Sequence, residues 1–135
     1  MLSQTAEYAL RAMVWIADHP SEPQTAQVIA AGMQVPRNYL SKVMRQLVEH
    51  GVLRGQRGKS GGFCLARPVS EISVLDVVNA VDPLQRIHSC PLHLERHKTQ
   101  MCPLHRKLDA AAAAIEKEFR CTPLHQLVEG SGYAS

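Results

Sequence analysis

Cysteine and histidine recur at regular spacing between residues 90 and 105, which we call the Cys/His segment. The tetrapeptide Cys-Pro-Leu-His occurs twice there, so Cys90 pairs with His93 and Cys102 pairs with His105. Two intervening residues allow a short loop or a first helical turn to present both donors to one ion. The spacing therefore predicts a metal site. The alternative is a surface loop whose cysteines and histidines bind nothing.

The composition favours one small domain that works inside the cell. The chain has 135 residues, of which 45% are hydrophobic and 4% aromatic, which is enough for one core. The N-terminus does not follow the order of a signal peptide, so we expect a cytoplasmic protein with reduced thiols. No apolar run is long enough for a bilayer, so no membrane partner is expected. The net charge of +3 permits nucleic-acid binding without requiring it.

A first helix is predicted near the N-terminus. Ser3 is its candidate N-cap, because a serine side chain can accept a hydrogen bond from a free amide of the first turn. Apolar residues then follow at the spacing of one buried helical face. The predicted stripe consists of Leu10, Met13, Val14 and Ala17.

A second and a third helix complete a helix-turn-helix pattern. Thr25 is the predicted cap of the second helix, and Gly32 is expected to end it. Pro36 can open the third helix, and Gly51 is placed to close it. A short helix, a tight turn and a longer helix in this order are typical of the helix-turn-helix motif.

The polar face of the third helix is suited to the major groove of DNA. It carries several hydrogen-bond donors with no acid among them, and the first turns of such a helix are the part that reaches base edges. An ordinary solvated helical surface is the alternative. The candidate DNA-binding residues on this helix are Arg37, Asn38, Tyr39, Ser41 and Lys42.

A basic β-hairpin is predicted after the third helix. The glycine-rich residues 58–62 join two short runs with apolar flanks, and Arg57, Lys59 and Ser60 lie at or beside the tip. A hairpin in this place is typical of a wing that contacts phosphates or the minor groove. A nucleotide-binding P-loop is excluded, because the glycine it needs five residues before Gly58 is absent.

The predicted fold class is mostly α, a winged helix-turn-helix with a two-stranded β wing and a long C-terminal dimerisation helix. Ser73 is placed to cap a helix that ends before the Cys/His segment. A narrow, alanine-rich face on the long helix allows close approach of a second copy. We therefore expect a DNA-binding domain over residues 1–82, a sensor loop over 83–103, and a dimerisation helix with its tail over 104–135.

Several local strings resemble the Rrf2 family of bacterial transcription regulators. They are Tyr-Ala-Leu-Arg at residues 8–11, Arg-Gly-Lys-Ser-Gly-Gly-Phe at 57–63, Leu-Ala-Arg-Pro at 65–68 and Ile-Ser-Val-Leu-Asp-Val-Val at 72–78. The resemblance covers nearly the whole chain. It implies a homodimeric winged-helix regulator, taken here as a repressor, that binds a partly palindromic operator in double-stranded DNA. It implies no enzymatic activity, and no motif in the chain pairs a metal with a general base.

The resemblance also implies a role for part of the Cys/His segment. Many members of the family hold an iron–sulfur cluster with three cysteines in this region. Here Cys90 matches the first cysteine and Cys102 matches the third, whereas His97 lies near the place of the missing second one. His105 matches a histidine that completes a two-iron cluster in some members. A 2Fe-2S cluster that responds to redox state or nitric oxide is therefore the leading interpretation.

The fourth ligand of such a cluster is left open. His97 and His93 are candidates, and so is Glu7 of the partner subunit, which matches the position of an acidic ligand in some members. Histidine does replace cysteine in known two-iron clusters. The alternatives are a zinc ion on the two Cys-x-x-His pairs, a thiol switch that joins Cys90 to Cys102, or no cofactor. In the last case the chain would be a regulator or interaction module without its own sensor.

Overall fold

The computed structural model of the protein describes residues 2–85, 92–95 and 103–129. The described part is mostly helical and contains one two-stranded antiparallel sheet, as the sequence predicts. None of the helices in these ranges has the length and apolar character needed to cross a bilayer. The elements in chain order are α1 (Gln4–Asp18), α2 (Ala26–Met33), α3 (Arg37–Glu49), β1 (Leu53–Gln56), β2 (Gly62–Leu65), a 3-10 turn (Val69–Glu71), α4 (Val74–Val81), α5 (Pro103–Arg120) and α6 (Leu124–Glu129).

Side-chain caps begin three of the helices, and all three were predicted. Ser3 accepts a hydrogen bond from the amide of Ala6, and Thr25 accepts one from the amide of Val28. Ser73 forms a capping box, in which the Ser73 hydroxyl accepts from the Asp76 amide and the Asp76 carboxylate accepts from the Ser73 amide. Each cap satisfies amides that a helix leaves free in its first turn. The starts of α1, α2 and α4 are therefore set by local sequence.

The buried face of α1 consists mainly of small residues, which differs from the predicted stripe. Of that stripe, Met13 alone is fully buried, and its other members are half-buried at the edge of the core. Alanine on the inner face lets α1 lie close to α3 and α4, against which it packs. The residues buried along α1 are Ala6, Ala9, Ala12, Met13 and Ile16.

The prediction that Gly32 ends α2 is wrong. The helix continues to Met33, and Gln34 adopts the left-handed conformation that terminates it, with φ of 57° and ψ of 48°. Gly32 serves packing instead, because an ideal Cβ there would lie 2.4 Å from the Trp15 ring. The ring is itself positioned by a 2.9 Å hydrogen bond from Trp15 Nε1 to Gln24 Oε1. Position 32 thus requires glycine because the Trp15 ring leaves no room for a side chain, and not because the helix ends there.

The hairpin of β1 and β2 is attached to the chain that precedes α2. Gln24 and Phe63 exchange two backbone hydrogen bonds, of 2.9 and 2.8 Å, so Gln24 adds one residue of pairing to the outer side of β2. Gly62, beside this junction, has φ of 142°, and an ideal Cβ there would lie 2.7 Å from the backbone of Gln24. The hairpin is therefore held against the helix-turn-helix by main-chain contacts that need glycine at position 62.

The long helix α5 buries no side chain completely against the described remainder of this chain. Near its C-terminal end, Phe119 packs on a small cluster formed by Ala6, Val74 and Val78. Towards its N-terminal end, Leu104 and Leu108 are 39% and 41% exposed. An 18-residue helix gains most of its stability from an apolar face that is covered. The uncovered leucines leave such a face available.

Candidate nucleic-acid interface and Cys/His segment

The helix α3 separates its residues sharply into a buried and an exposed face. The buried face is formed by Leu40, Val43, Met44 and Leu47, which fix the helix in the core. The exposed face includes the predicted DNA-binding residues of this helix together with Arg45. Because the core holds one side completely, the opposite side is presented as a rigid polar surface. The exposed polar residues are Arg37, Asn38, Ser41, Lys42 and Arg45.

The first turn of α3 is locally unfavourable for folding. Its N-cap is Pro36, which forms no side-chain cap hydrogen bond, and the turn contains no acidic residue. It begins instead with Arg37, a cation at the positive end of the helix dipole, where an anion would be stabilising. The free amides and Arg37 together form a place where a phosphate or another anion would be favoured. Residues that are unfavourable for the local structure they occupy are expected at functional sites.

The hairpin tip extends the exposed basic surface. Arg57, Lys59 and Ser60 are all exposed, as predicted for a wing. Lys59 and Ser60 also line an open cleft of about 360 Å³ whose other wall is the start of α2, with Thr25 and Val28. The structure therefore brings the hairpin tip next to the N-terminal end of α2, a juxtaposition that the sequence pattern did not reveal.

The cations of α3 and of the hairpin tip have no carboxylate partner among residues 2–85, 92–95 and 103–129. Ion pairs in those ranges occur elsewhere, between Arg11 and Glu7, Arg67 and Asp76, and Arg120 and Glu116. Unpaired cations on one polar surface create a positive potential that attracts polyanions. The cations concerned are Arg37, Lys42, Arg45, Arg57 and Lys59.

Tyr39 differs from the other predicted DNA-binding residues of α3 because its hydroxyl has a partner on another helix. Its oxygen lies 2.6 Å from Oγ1 of Thr5 in α1, and the side chain keeps 40% exposure. Ser41 also makes an internal hydrogen bond, from its hydroxyl to the carbonyl of Arg37, but remains exposed. Sequence reasoning missed Thr5, since nothing in its local pattern connects it to a residue 34 positions away.

Glu7 lies on the exposed side of α1, where it pairs with Arg11. The distance between Glu7 Oε1 and Arg11 Nη2 is 2.8 Å, and both side chains are about half exposed. The other terminal nitrogen of Arg11 donates to the carbonyl of Met33 at 3.2 Å. The Glu7 carboxylate therefore lies at the surface of the chain. It is also connected, through Arg11, to the end of α2.

The predicted cluster ligands fall partly outside the described residues. Cys90, His97 and Cys102 lie outside them. His105 is half-buried in the first turn of α5, and His93 is exposed with φ of 56°. Within the part of the chain that the structure describes, no group of three or more histidine, cysteine, aspartate or glutamate side chains is close enough to hold a metal ion. The ligand set from sequence therefore stays a prediction.

Comparison with known proteins agrees with the resemblance in the sequence. The model of the Rrf2 family, described as an iron-dependent transcriptional regulator, matches residues 2–130. Among solved structures, CymR of B. subtilis has a TM-score of 0.80 at 22% identity over 97% of this chain and 98% of its own. IscR of T. potens has a TM-score of 0.79 at 20% identity over 97% and 88%.

A third similar structure is CymR of Staphylococcus aureus, with a TM-score of 0.73 at 23% identity over 94% of this chain and 97% of that one. At these identities the structural likeness establishes the fold, a winged helix-turn-helix. The family match covers nearly the whole chain and confirms the prediction made from the local strings. The chain belongs to the Rrf2 family, whose members are transcriptional regulators and not enzymes.

Proposed function

We propose that the protein is a homodimeric, DNA-binding transcriptional repressor of the bacterial cytoplasm. The observation that carries this proposal is the set of cations on α3 and the hairpin tip that have no acidic partner among the described residues. Such a surface fits the phosphate backbone, which supplies most of the affinity of a DNA-binding protein. Membership of a family of transcriptional regulators also supports this proposal. The proposed division of the chain is a DNA-binding domain over residues 1–82, a sensor loop over 83–103, and a dimerisation helix with its tail over 104–135.

The exposed residues of α3 and of the hairpin have different proposed roles. Arg37, Asn38, Ser41 and Lys42 would face base edges in the major groove, since they occupy the first turns of the helix. Arg57, Lys59 and Ser60 would contact the backbone or the minor groove beside it. These two surfaces supply sequence preference and affinity respectively.

Dimerisation is proposed to use α5. Its N-terminal half exposes Leu104 and Leu108 in the isolated chain, and a second copy of the helix can cover them. Two recognition helices related by a dyad would bind half-sites about one DNA turn apart, roughly 34 Å. The operator should therefore be partly palindromic.

Regulation is proposed to act through the Cys/His segment. A 2Fe-2S cluster would be held by Cys90, Cys102 and His105, with His97, His93 or Glu7 of the partner subunit as the fourth ligand. Two thiolates with imidazole or carboxylate form an adequate donor set for such a cluster. The family description as iron-dependent supports this proposal. A bound cluster would supply a reducible, nitric-oxide-reactive group at the start of α5.

The test of DNA binding uses random 30-base-pair duplexes, from which the full-length protein should enrich one partly palindromic sequence. On that duplex, Lys59→Ala is expected to weaken binding roughly 3- to 10-fold at low salt and to reduce the salt slope by about 0.9, because one phosphate contact is lost. The same factor is expected on unrelated duplexes. Ser60→Ala is the matched control, since it removes a hydroxyl from the same tip and should leave the salt slope unchanged.

The cofactor is tested on protein purified without oxygen. A 2Fe-2S cluster predicts visible absorption with about two iron and two sulfide per subunit. Cys90→Ala and Cys102→Ala should each abolish the colour, whereas Cys121→Ala, a cysteine at the far end of α5, should keep it. Colourless protein with stoichiometric zinc would contradict the cluster and indicate a zinc site instead. Metal-free protein whose DNA affinity changes on oxidation would indicate a thiol switch.

A further inference from the structure

A hydroxyl contact connects the recognition helix to α1. The Tyr39 hydroxyl and Oγ1 of Thr5 are 2.6 Å apart, so one of them donates to the other. The Tyr39 ring also meets the ring of Tyr8 edge to face, with centroids 5.2 Å apart and an angle of 81° between the planes. The Tyr8 hydroxyl in turn accepts a hydrogen bond of 2.9 Å from Gln4 Nε2. Tyr39 is thus held by two residues of α1.

This contact is made at the place where α3 most needs support. The first turn of α3 lacks a side-chain cap, and an uncapped helix end frays more readily than the interior. Val35, just before the helix, and Leu40 are 4% and 0% exposed, so the core holds both sides of this turn, whereas Arg37 and Asn38 between them are exposed. By contrast, α1 is anchored close to Thr5 by Ala6 and Ala9, which are 1% and 0% exposed. Tyr39 therefore connects the uncapped turn that carries Arg37 and Asn38 to a firmly held helix.

We propose that Thr5 and Tyr39 form a positioning pair that holds the first turn of α3, and with it Arg37 and Asn38, in the conformation that reads the operator. Thr5 contributes to DNA recognition through Tyr39 without contacting DNA. The inference rests on the proposed DNA-binding function. It gives Tyr39 a role different from the direct DNA contact that the sequence predicts, and it adds Thr5 to the residues on which sequence preference depends.

The two roles of Tyr39 make different demands on Thr5. A phosphate contact by the Tyr39 hydroxyl requires Tyr39 alone, and removal of the Thr5 hydroxyl would leave that contact intact. A positioning pair requires both hydroxyls, so loss of either one has the same consequence and loss of the second adds nothing further. A double-mutant cycle therefore separates the two roles.

The experiment measures binding of full-length Thr5→Val, Tyr39→Phe and the double variant to the duplex enriched by the wild type, and to a scrambled duplex of the same composition. Each single variant is expected to lose roughly 3- to 10-fold on the enriched duplex, the range for one hydrogen bond. The double variant should lose no more than either single one. Affinity for the scrambled duplex and the salt slope should stay unchanged, because no phosphate contact is removed. Thr5→Ser, which keeps the hydroxyl, should bind as the wild type does.

Three outcomes would overturn the positioning pair. In the first, Thr5→Val binds normally while Tyr39→Phe is weakened, which indicates a direct DNA contact by Tyr39. In the second, the two losses add in the double variant. In the third, both duplexes lose affinity equally, which indicates general damage to the fold. A wild-type protein that enriches no sequence at all would instead refute the proposed function, and the pair with it.

Discussion

Gly62→Ala should lower the free energy of unfolding by roughly 2–3 kcal/mol and disable the wing. The backbone at Gly62 has φ of 142°, a conformation that residues other than glycine rarely adopt. A Cβ there would also lie 2.7 Å from the carbonyl carbon and oxygen of Gln24, and those backbone atoms cannot rotate away as a side chain would. The hairpin must then move from Gln24, which breaks the hydrogen bonds between Gln24 and Phe63. Urea denaturation measures the loss of stability.

Gly55→Ala provides the matched control for this variant. Gly55 belongs to β1 of the same hairpin, lies opposite Phe63, and has no atom within 4 Å of an ideal Cβ outside its chain neighbours. Its substitution should change stability by less than about 0.5 kcal/mol. If Gly62→Ala and Gly55→Ala unfold at the same urea concentration, then the close approach of Gly62 to Gln24 is not a constraint on the fold.

Arg37→Ala should give the largest loss of DNA binding from a single side chain, about 1–3 kcal/mol or roughly 5- to 150-fold on the enriched duplex. Arg37 is exposed at the first position of α3, where an arginine can approach two acceptors of a guanine. Preference at one base pair should relax, so the scrambled duplex loses less than the enriched one. Titration of both duplexes at fixed salt measures the difference.

The same substitution should not destabilise the fold. Arg37 opposes the dipole of α3, so its removal is expected to leave stability unchanged or raise it by about 0.3–1 kcal/mol. Arg67→Ala serves as the control for charge, because Arg67 lies outside α3 and is 3.5 Å from its partner Asp76. It should bind DNA like the wild type. Equal losses for Arg37→Ala and Arg67→Ala would mean that only net charge matters and that α3 does not read sequence.

The sequence was most informative where structure is decided locally. The caps Ser3, Thr25 and Ser73 were all predicted correctly, because a cap depends on amides only two or three residues away. The wing was predicted from its glycine-rich turn for the same reason. The fold class needs little more than these signals.

Features that depend on distant partners were not predictable from the pattern. Gly32 looked like a helix terminator because its contact with Trp15 joins two different helices. The stripe predicted for α1 contains Met13 but otherwise lies at the edge of the core, because close packing against other helices places alanine along the centre of the buried face. Thr5 was missed because its partner Tyr39 is far away in sequence. The family resemblance supplied the roles in the Cys/His segment, which local spacing alone left open.

The attachment of the hairpin through Gln24 and Phe63 has a consequence for how this protein can evolve. The two hydrogen bonds there join main-chain atoms, and such bonds are indifferent to which side chain each residue carries. The exposed side chains of Arg57, Lys59 and Ser60 can therefore change while the hairpin remains in place, whereas Gly58, with φ of 105°, is constrained by the turn itself. After gene duplication, one copy can acquire new tip residues, and with them a different affinity for DNA, without first losing stability. Selection on Gly62 and selection on the tip are thus separable.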